Sequence, residues 1–442
     1  MVIADTMAYV PMIAPDFREQ MRSDWNQRAR EDGKYYAAFC RRNQADEDFF
    51  TSAFAITCGL ERELKRLPPN EIRRRALEIG CGPGRLMRAM SPHFGEIHGV
   101  DISDEMVRLA REKLLDIPHA HAHHTPSSDL AAFADESFDF VYSYAVFQHL
   151  PHRELILQYL REARRVLKTG GLLWFQANGL PSTSAVYDTW NGVRISAPEI
   201  ADFACQNDFQ VLALEKPASL HMWTCWRRQA PGWAASLAQR AATPAARIQK
   251  VTNASGEPEV PSHGRLAFAA LWVEGLPQEC DLNHLEVKIG GLNAEPWYLG
   301  PATETGQQQI NVALPRSVSP GLLGVELLWL GRAIAPVATV RVVPHSPVPR
   351  LLSVADALEF TSGLRIASRC IKVVLEEGDP TVQFRASAGG LPITELAMLC
   401  TDPVPPLYEI NLVLPRQLPA GVHELRLELG SHVFPPFSIE VV

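Results

Sequence analysis

Hydrophobic and polar positions are spaced differently in the two halves of this 442-residue chain. In the first half, short apolar runs give way to amphipathic stretches. Arg75–Ile79 (RALEI) reads as a buried strand, followed by glycines and a helical stretch. Glu96–Asp101 (EIHGVD) reads as a second strand, followed by a helix over Asp104–Leu115. Phe138–Ser143 and Leu172–Ala177 read as further strands, with a helix over Arg153–Leu167 between them. Strand–helix alternation of this kind predicts an α/β domain with a mainly parallel sheet.

The second half carries short alternating runs and more proline. Twelve of the 34 prolines fall in residues 1–230 and 22 in the remainder. Proline is expelled from helix interiors and accepted in turns and at strand edges, so this half is expected to be strand and turn. Residues 230–263 end in polar turn-formers and read as a linker. An internal repeat follows. Gln309–Arg316 (QINVALPR) reappears as Glu409–Arg416 (EINLVLPR), Gly321 maps onto Gly421, and Gly290-Gly291-Leu292 matches Gly389-Gly390-Leu391. The repeat predicts two tandem all-β sandwich units, over 264–345 and 346–442. They resemble the immunoglobulin-like sandwich modules of bacterial proteins.

Composition narrows the classes. Apolar residues make up 46% and the net charge is −8, so a basic face for nucleic acid is not expected and no nucleic-acid partner is predicted. No apolar run reaches the roughly 20 residues of a membrane span. The N-terminus lacks a basic start followed by an apolar stretch, so no leader is expected. The eight cysteines are scattered without a CxxC pair and read as reduced thiols of a cytoplasmic protein. His119, His121, His123 and His124 cluster on a strand, with no carboxylate or cysteine at matching spacing, so no metal is predicted.

The informative segment is Leu77–Arg85 (LEIGCGPGR), where a strand runs into three glycines at alternate positions and a helix begins. Glycine takes positive φ and lets a ligand approach the backbone. The dinucleotide fingerprint places its third glycine three residues after the second, and this loop does not. The second strand ends at Asp101, where an acid accepts both hydrogen bonds of a ribose diol. Ile102 and Met106 follow, where apolar surface meets an adenine ring.

Together, E-x-G-x-G-x-G and the distal acid resemble the class I S-adenosylmethionine-dependent methyltransferases. Ser137–Val141 resembles that family's SFDxV strand. Leu167–Gly171 resembles its LKPGG turn, with Thr169 in place of proline. Pro198–Asp208, Phe209–Leu214 and His221–Arg227 resemble its last helix and antiparallel final strands. The resemblance implies a Rossmann-like methyltransferase domain over 1–229, with a mostly parallel seven-stranded sheet and an N-terminal helical lid. It implies S-adenosyl-L-methionine as cofactor. Glu78, Gly80, Cys81, Gly82, Gly84 and Arg85 would surround the methionine part, Asp101 the ribose, and Ile102 and Met106 the adenine. Ser128, Asp129 and Ser143 complete the set, with Asp129 either an adenine-binding acid or a turn residue. Tyr35 on the lid is a further cofactor contact.

Beyond the cofactor, ligands of open α/β sheets bind past the carboxyl ends of strands. Tyr144, Gln148 and His149 follow the fourth strand and are candidates to meet the acceptor. His149 is either a general base or a packed histidine bonded to backbone. Tyr187, Trp190 and Asn191, in the long insert after the fifth strand, are the remaining acceptor candidates. The function expected is methyl transfer to a small-molecule or glycan-like acceptor, with the sandwiches as a binding or self-association module. Two alternatives stay open: a protein methyltransferase whose sandwiches dock the substrate protein, and a non-catalytic cofactor-binding scaffold.

Overall fold

A computed structural model describes residues 15–38, 42–183, 186–237, 239, 245–360, 363–379, 381–404 and 406–442. Residues 1–14, the stretch read for a leader, lie outside these. Seven strands form the first sheet: β1 (Arg75–Ile79), β2 (Glu96–Asp101), β3 (Ala120–His124), β4 (Phe138–Ser143), β5 (Leu167–Ala177), β6 (Phe209–Glu215) and β7 (Met222–Arg228). Their order is β3-β2-β1-β4-β5-β7-β6. β1 to β5 pair in parallel, and β7 runs antiparallel to both neighbours. Strands covered on both faces need apolar side chains throughout, and Ala76, Leu77, Phe140, Val141, Leu172 and Leu173 are all buried.

Helices cover the sheet: α1 (Pro15–Ala38), α2 (Asp46–Thr51), α3 (Phe54–Leu64), α4 (Arg85–Met90), α5 (Asp104–Lys113), α6 (Arg153–Val166), α7 (Ala197–Gln206) and the short α8 (Trp233–Leu237). Their starts are written locally. Ser103 caps α5 by accepting the Met106 N–H, and Ser196 forms a reciprocal capping box with Glu199 on α7. α1 breaks at Asp32, whose backbone is extended (φ −169°, ψ 86°). Its carboxylate accepts the Tyr35 N–H at 3.0 Å and the Asn43 N–H at 2.6 Å, so it starts a second helical segment at a new angle.

The C-terminal half consists of two units with one strand plan. In the second, Arg350–Asp356, Cys370–Glu376, Leu396–Pro403 and Pro406–Val413 form one sheet. Arg365–Ile366, Phe384–Ala388, Leu391–Ile393, Gly421–Leu429 and Phe437–Val441 form another. The two enclose a common core of Ile371, Val373, Ile410, Leu412, Leu425 and Ile439. The first unit repeats this arrangement, starting at Arg247–Asn253. Residues 230–263 are therefore not a plain linker. They contain α8 and the strands Arg247–Asn253 and Glu259–Pro261, which pair with Phe268–Glu274 and Ala338–Val343. The first unit begins ahead of residue 264 because these strands supply part of its sheets.

The repeated motifs are turns. Gly290-Gly291 (φ 59°, 79°) and Gly389-Gly390 (φ 55°, 79°) join paired strands, which two positive-φ residues permit. Pro315 and Pro415 each accept an N–H three residues on, from Val318 and Leu418, at 3.0 Å. Among the described residues, no helix is long and apolar enough to cross a membrane.

Candidate functional site

The carboxyl ends of β1, β2 and β4 meet where the strand order turns back, and a cleft with about 970 Å³ of open space lies there under α1. Such switch points are where open α/β sheets bind ligands. Glu78, Gly80, Cys81, Gly82 and Arg85 line one wall, and Asp101, Ile102 and Met106 a second. Tyr144, Gln148 and His149 line a third. All of these are residues the sequence singles out.

The glycines are there because the backbone is left-handed. φ is 74° at Gly80, 49° at Gly82 and 81° at Gly84. A Cβ on Gly80 would sit 2.2 Å from Val146 Cγ2. The N–H groups of Gly80 and Cys81 donate to Val100 O at 2.8 and 3.0 Å, which stitches the loop onto β2. Asp101 Oδ2 accepts the Gly82 N–H and Oδ1 the Ser103 N–H, both at 2.9 Å. Each carboxylate oxygen keeps a second lone pair for a ligand hydroxyl. Burial pushes the Asp101 carboxyl up, against these N–H bonds. Glu78 is 3% exposed and accepts the Tyr142 hydroxyl at 2.9 Å; burial pushes its pKa up to about 8. A carboxyl held this way takes a cation readily, because the cation stabilises its charged form. The glycine cradle, the strand-end acid and the apolar Ile102–Met106 surface fit a nucleoside carrying an amino-acid tail.

On the third wall, His149 Nδ1 lies 2.6 Å from Trp190 O. A carbonyl only accepts, so Nδ1 carries the proton. Nε2 then accepts from Gln148 Nε2 at 3.2 Å, and Gln148 Oε1 accepts from Gln176 at 2.7 Å. Burial pushes the His149 pKa down to about 4, so the ring is neutral near pH 7. Trp25 meets the ring edge-on at 5.3 Å between centroids, and Trp190 lies 5.2 Å from it.

α1 roofs the cleft and is fastened at two places. Asn26 donates to Asp104 Oδ1 at 2.7 Å and accepts the Ser103 hydroxyl at 2.6 Å. Arg28 lies over the Trp25 and Trp190 rings at 4.7 and 5.1 Å and donates to Thr189. The break at Asp32 delivers Tyr36 and Ala37 to the cleft lining.

Other expected residues do not line the cleft. Ser128 donates to Gln158 Oε1 at 2.7 Å, and Asp129 accepts from Ser127 at 2.6 Å and from the Ala131 N–H at 3.3 Å. Ser128 is thus held by α6, and the Asp129 carboxylate is used within its own turn. Ser143 donates to Ile79 O and ties β4 to β1. Gly84 starts α4, with a Cβ there only 3.0 Å from Leu114. Tyr35 is buried beneath Arg42 at 4.2 Å, and its neighbour Tyr36 faces the cleft instead. Tyr187 folds back onto Thr183, and the Asn191 N–H is held by Asp188. Trp190 stands at the rim against Tyr36, at 5.8 Å. Arg85 lines the cleft, yet its guanidinium donates to Ser52 O and Oγ at 3.1 Å, joining α4 to the end of α2.

Some lining residues carry no sequence signal. Tyr159 reaches the cleft from α6, where its neighbours Leu155, Ile156 and Leu160 make it read as core. In the histidine cluster, His98 and His123 stack with Nδ1 and Nε2 3.0 Å apart, while His119 and His124 bond backbone carbonyls. Among the described residues, no group of three or more metal-ligating side chains is assembled.

Residues 77–175 match the family model described as methyltransferase domain. The chain is 31% identical over 141 residues to Phosphoethanolamine N-methyltransferase 2 of Caenorhabditis elegans, across 30% of this chain and 32% of that protein. It is 29% identical over 151 residues to Ubiquinone biosynthesis O-methyltransferase of Xanthomonas oryzae pv. oryzae, across 34% of this chain and 59% of that protein. The chain thus spans about a third to three-fifths of these relatives' lengths. Among solved structures it is similar to a SAM dependent methyltransferase from Aquifex aeolicus, at 19% identity and TM-score 0.30, covering 38% of this chain and 87% of that one. Residues 77–175 thus carry a methyltransferase domain, whose cofactor is S-adenosylmethionine.

Proposed function

We propose that this protein transfers a methyl group to a small-molecule or glycan-like acceptor held between the α1 aromatics and the Gln148–His149 pair. One observation supports this most. The same cleft joins a glycine-loop and Asp101 half to a half lined by Trp25, Tyr36, Tyr144, Gln148 and His149, with no carboxylate, ammonium or guanidinium among these five and the His149 ring neutral near pH 7. In this reading the cofactor's amino-acid end meets Glu78 and the loop, its ribose meets Asp101, and its adenine lies on Ile102 and Met106.

When bound, the cofactor supplies an activated methyl group on a sulfonium. The protein's part is alignment and exclusion of water, which α1 and Trp190 provide as a roof. His149 Nε2 is the lone pair available to take a proton from a hydroxyl acceptor, once that acceptor displaces the Gln148 contact. The named relatives include an N- and an O-methyltransferase, and an uncharged wall suits a neutral nucleophile of either kind. We read the two C-terminal units as immunoglobulin-like sandwich modules appended to this centre.

Calorimetric titration of the full chain with S-adenosylmethionine and with its demethylated product tests the reading. Saturable binding of both is expected. Asp101→Ala should weaken each at least about tenfold, as loss of a charged hydrogen-bonding partner implies. Unchanged affinity in that variant would sink the ribose assignment. The Glu78 pKa of about 8 adds a sign. If a cation settles beside it, the carboxyl gives up its proton. Binding near pH 7 should therefore release protons, and affinity should rise as pH approaches 8. Titration in buffers of different ionisation enthalpy reads that release directly.

A further inference from the structure

A second cleft, with about 960 Å³ of open space, lies at the seam between the methyltransferase sheet and the first C-terminal unit. Lys65, Arg66 and Arg227 line it from one side, and Gln278 and Gln308 from the other. Among the described residues no aspartate or glutamate lines it, and none lines both this cleft and the cofactor cleft. Arg66 is already engaged: it pairs with Glu63 at 2.6 Å and donates to Leu299 O at 2.5 Å.

Arg227 is engaged far less. Its side chain's one hydrogen bond among the described residues is a 3.3 Å contact to Arg66 O, and no carboxylate of those residues stands within ion-pair distance of it. It is half-buried on β7, and burial together with the neighbouring Arg66 charge pulls its pKa down. Lys65 stands exposed at the opening, also without an ion-pair partner among the described residues. A partly desolvated guanidinium with no acid beside it is costly, and an oxyanion offsets that cost. The guanidinium fork matches phosphate oxygens two at a time, with an ammonium as a second point charge.

We propose that this cleft binds a phosphate-type oxyanion between Arg227 and Lys65, as inorganic phosphate or as the phosphomonoester of a small molecule. The site is independent of the methyl-transfer reading. An anion there bridges the methyltransferase sheet and the first C-terminal unit, since the cleft is walled by both.

The test is calorimetric titration of the full chain with inorganic phosphate and with glycerol phosphate, at ionic strength held constant with sodium chloride. Saturable binding of at least one is expected. Arg227→Gln should weaken it about tenfold or more and Lys65→Gln about threefold, with cofactor affinity unchanged in both. Tighter binding of glycerol phosphate assigns the site to a phosphomonoester, and equal binding assigns it to free phosphate. Absence of saturable heat in the native chain overturns the proposal. So does a Lys65→Gln chain that binds as the native one does, a result that stands even if Arg227→Gln fails to fold.

Discussion

The first and second C-terminal units share a strand plan but differ at the edge strand that follows the double-glycine turn. In the first unit Tyr298 lies opposite Asn311; in the second, Ala397 lies opposite the equivalent Asn411. Tyr298 is 4% exposed, bridges to Ala213 of β6, and has the Arg62 guanidinium 4.2 Å from its ring centre. Ala397 is exposed. The Leu282 N–H donates to Val211 O at 2.9 Å, and Gln210 donates to the carbonyls of Gln278 and Cys280. The first unit thereby shares one apolar core with the methyltransferase domain, while the second keeps its own. The second meets the methyltransferase domain through lighter contacts, such as Leu220 N–H to Thr401 O at 2.8 Å and Lys216 to Asp402 at 3.4 Å. The difference teaches that a repeat sets the strand plan, while a few edge side chains set what it docks against.

The strongest way to break this comparison is truncation. A chain ending at Ala246 leaves the β6 edge and part of a shared core in water, and aggregation is expected. A chain ending at Pro347 loses only the second unit and should stay soluble with cofactor binding intact. Size-exclusion chromatography and cofactor calorimetry separate the two, and equal behaviour would end the distinction. Next in size is Tyr298→Ala, expected to cost about 3–5 kcal/mol, as loss of a large buried aromatic does. Ala397→Gly should cost under about 1 kcal/mol, and thermal melts compare them.

A smaller effect comes from Asn253 and Asp356, which occupy the same register in the two units. Among the described residues, Asp356 accepts four backbone N–H groups, from Leu358, Glu359, Ala367 and Ser368. Asn253 accepts two, from Ser255 and Glu257, and donates its amide to Glu259 O. Asp356→Ala should destabilise the second unit by about 2–4 kcal/mol, and Asn253→Ala the first by about 1–3. The smallest effect is in pH. Burial works to raise the Asp356 carboxyl, but the N–H bonds outdo it and hold it below its ordinary value. A depressed carboxyl gives stability that is present above the unfolded value, near 4, and lost as pH falls through the lower folded one. Acid should therefore loosen the second unit in a way that Asp356→Asn blunts, read as melting temperature against pH.

Legibility followed how local each constraint was. Gly80 and Gly82 could be read because a left-handed turn excludes side chains wherever it sits, and Asp101 because strand ends are marked by the chain itself. The strand Arg247–Asn253 reads as linker because five of its residues stay half-buried or exposed on an edge, so its alternation is weak without its partner Phe268–Glu274. Asp129, Tyr187 and Tyr35 are the right residue types near the right loops, yet each spends its side chain on a neighbour. Tyr159 is the reverse case, a helix residue whose core-like setting hides a cleft-facing side chain.

By itself, the sequence determined the parallel α/β order, the glycine cradle with its strand-end acid, and the duplicated strand plan. These rest on backbone geometry and short-range periodicity, which travel with the residues. Only the tertiary structure decided which side chains face the cleft, which histidine nitrogen is free, and which of the two units shares its core with the methyltransferase domain. Those depend on where distant strands and helices bring each side chain, and no local spacing encodes that.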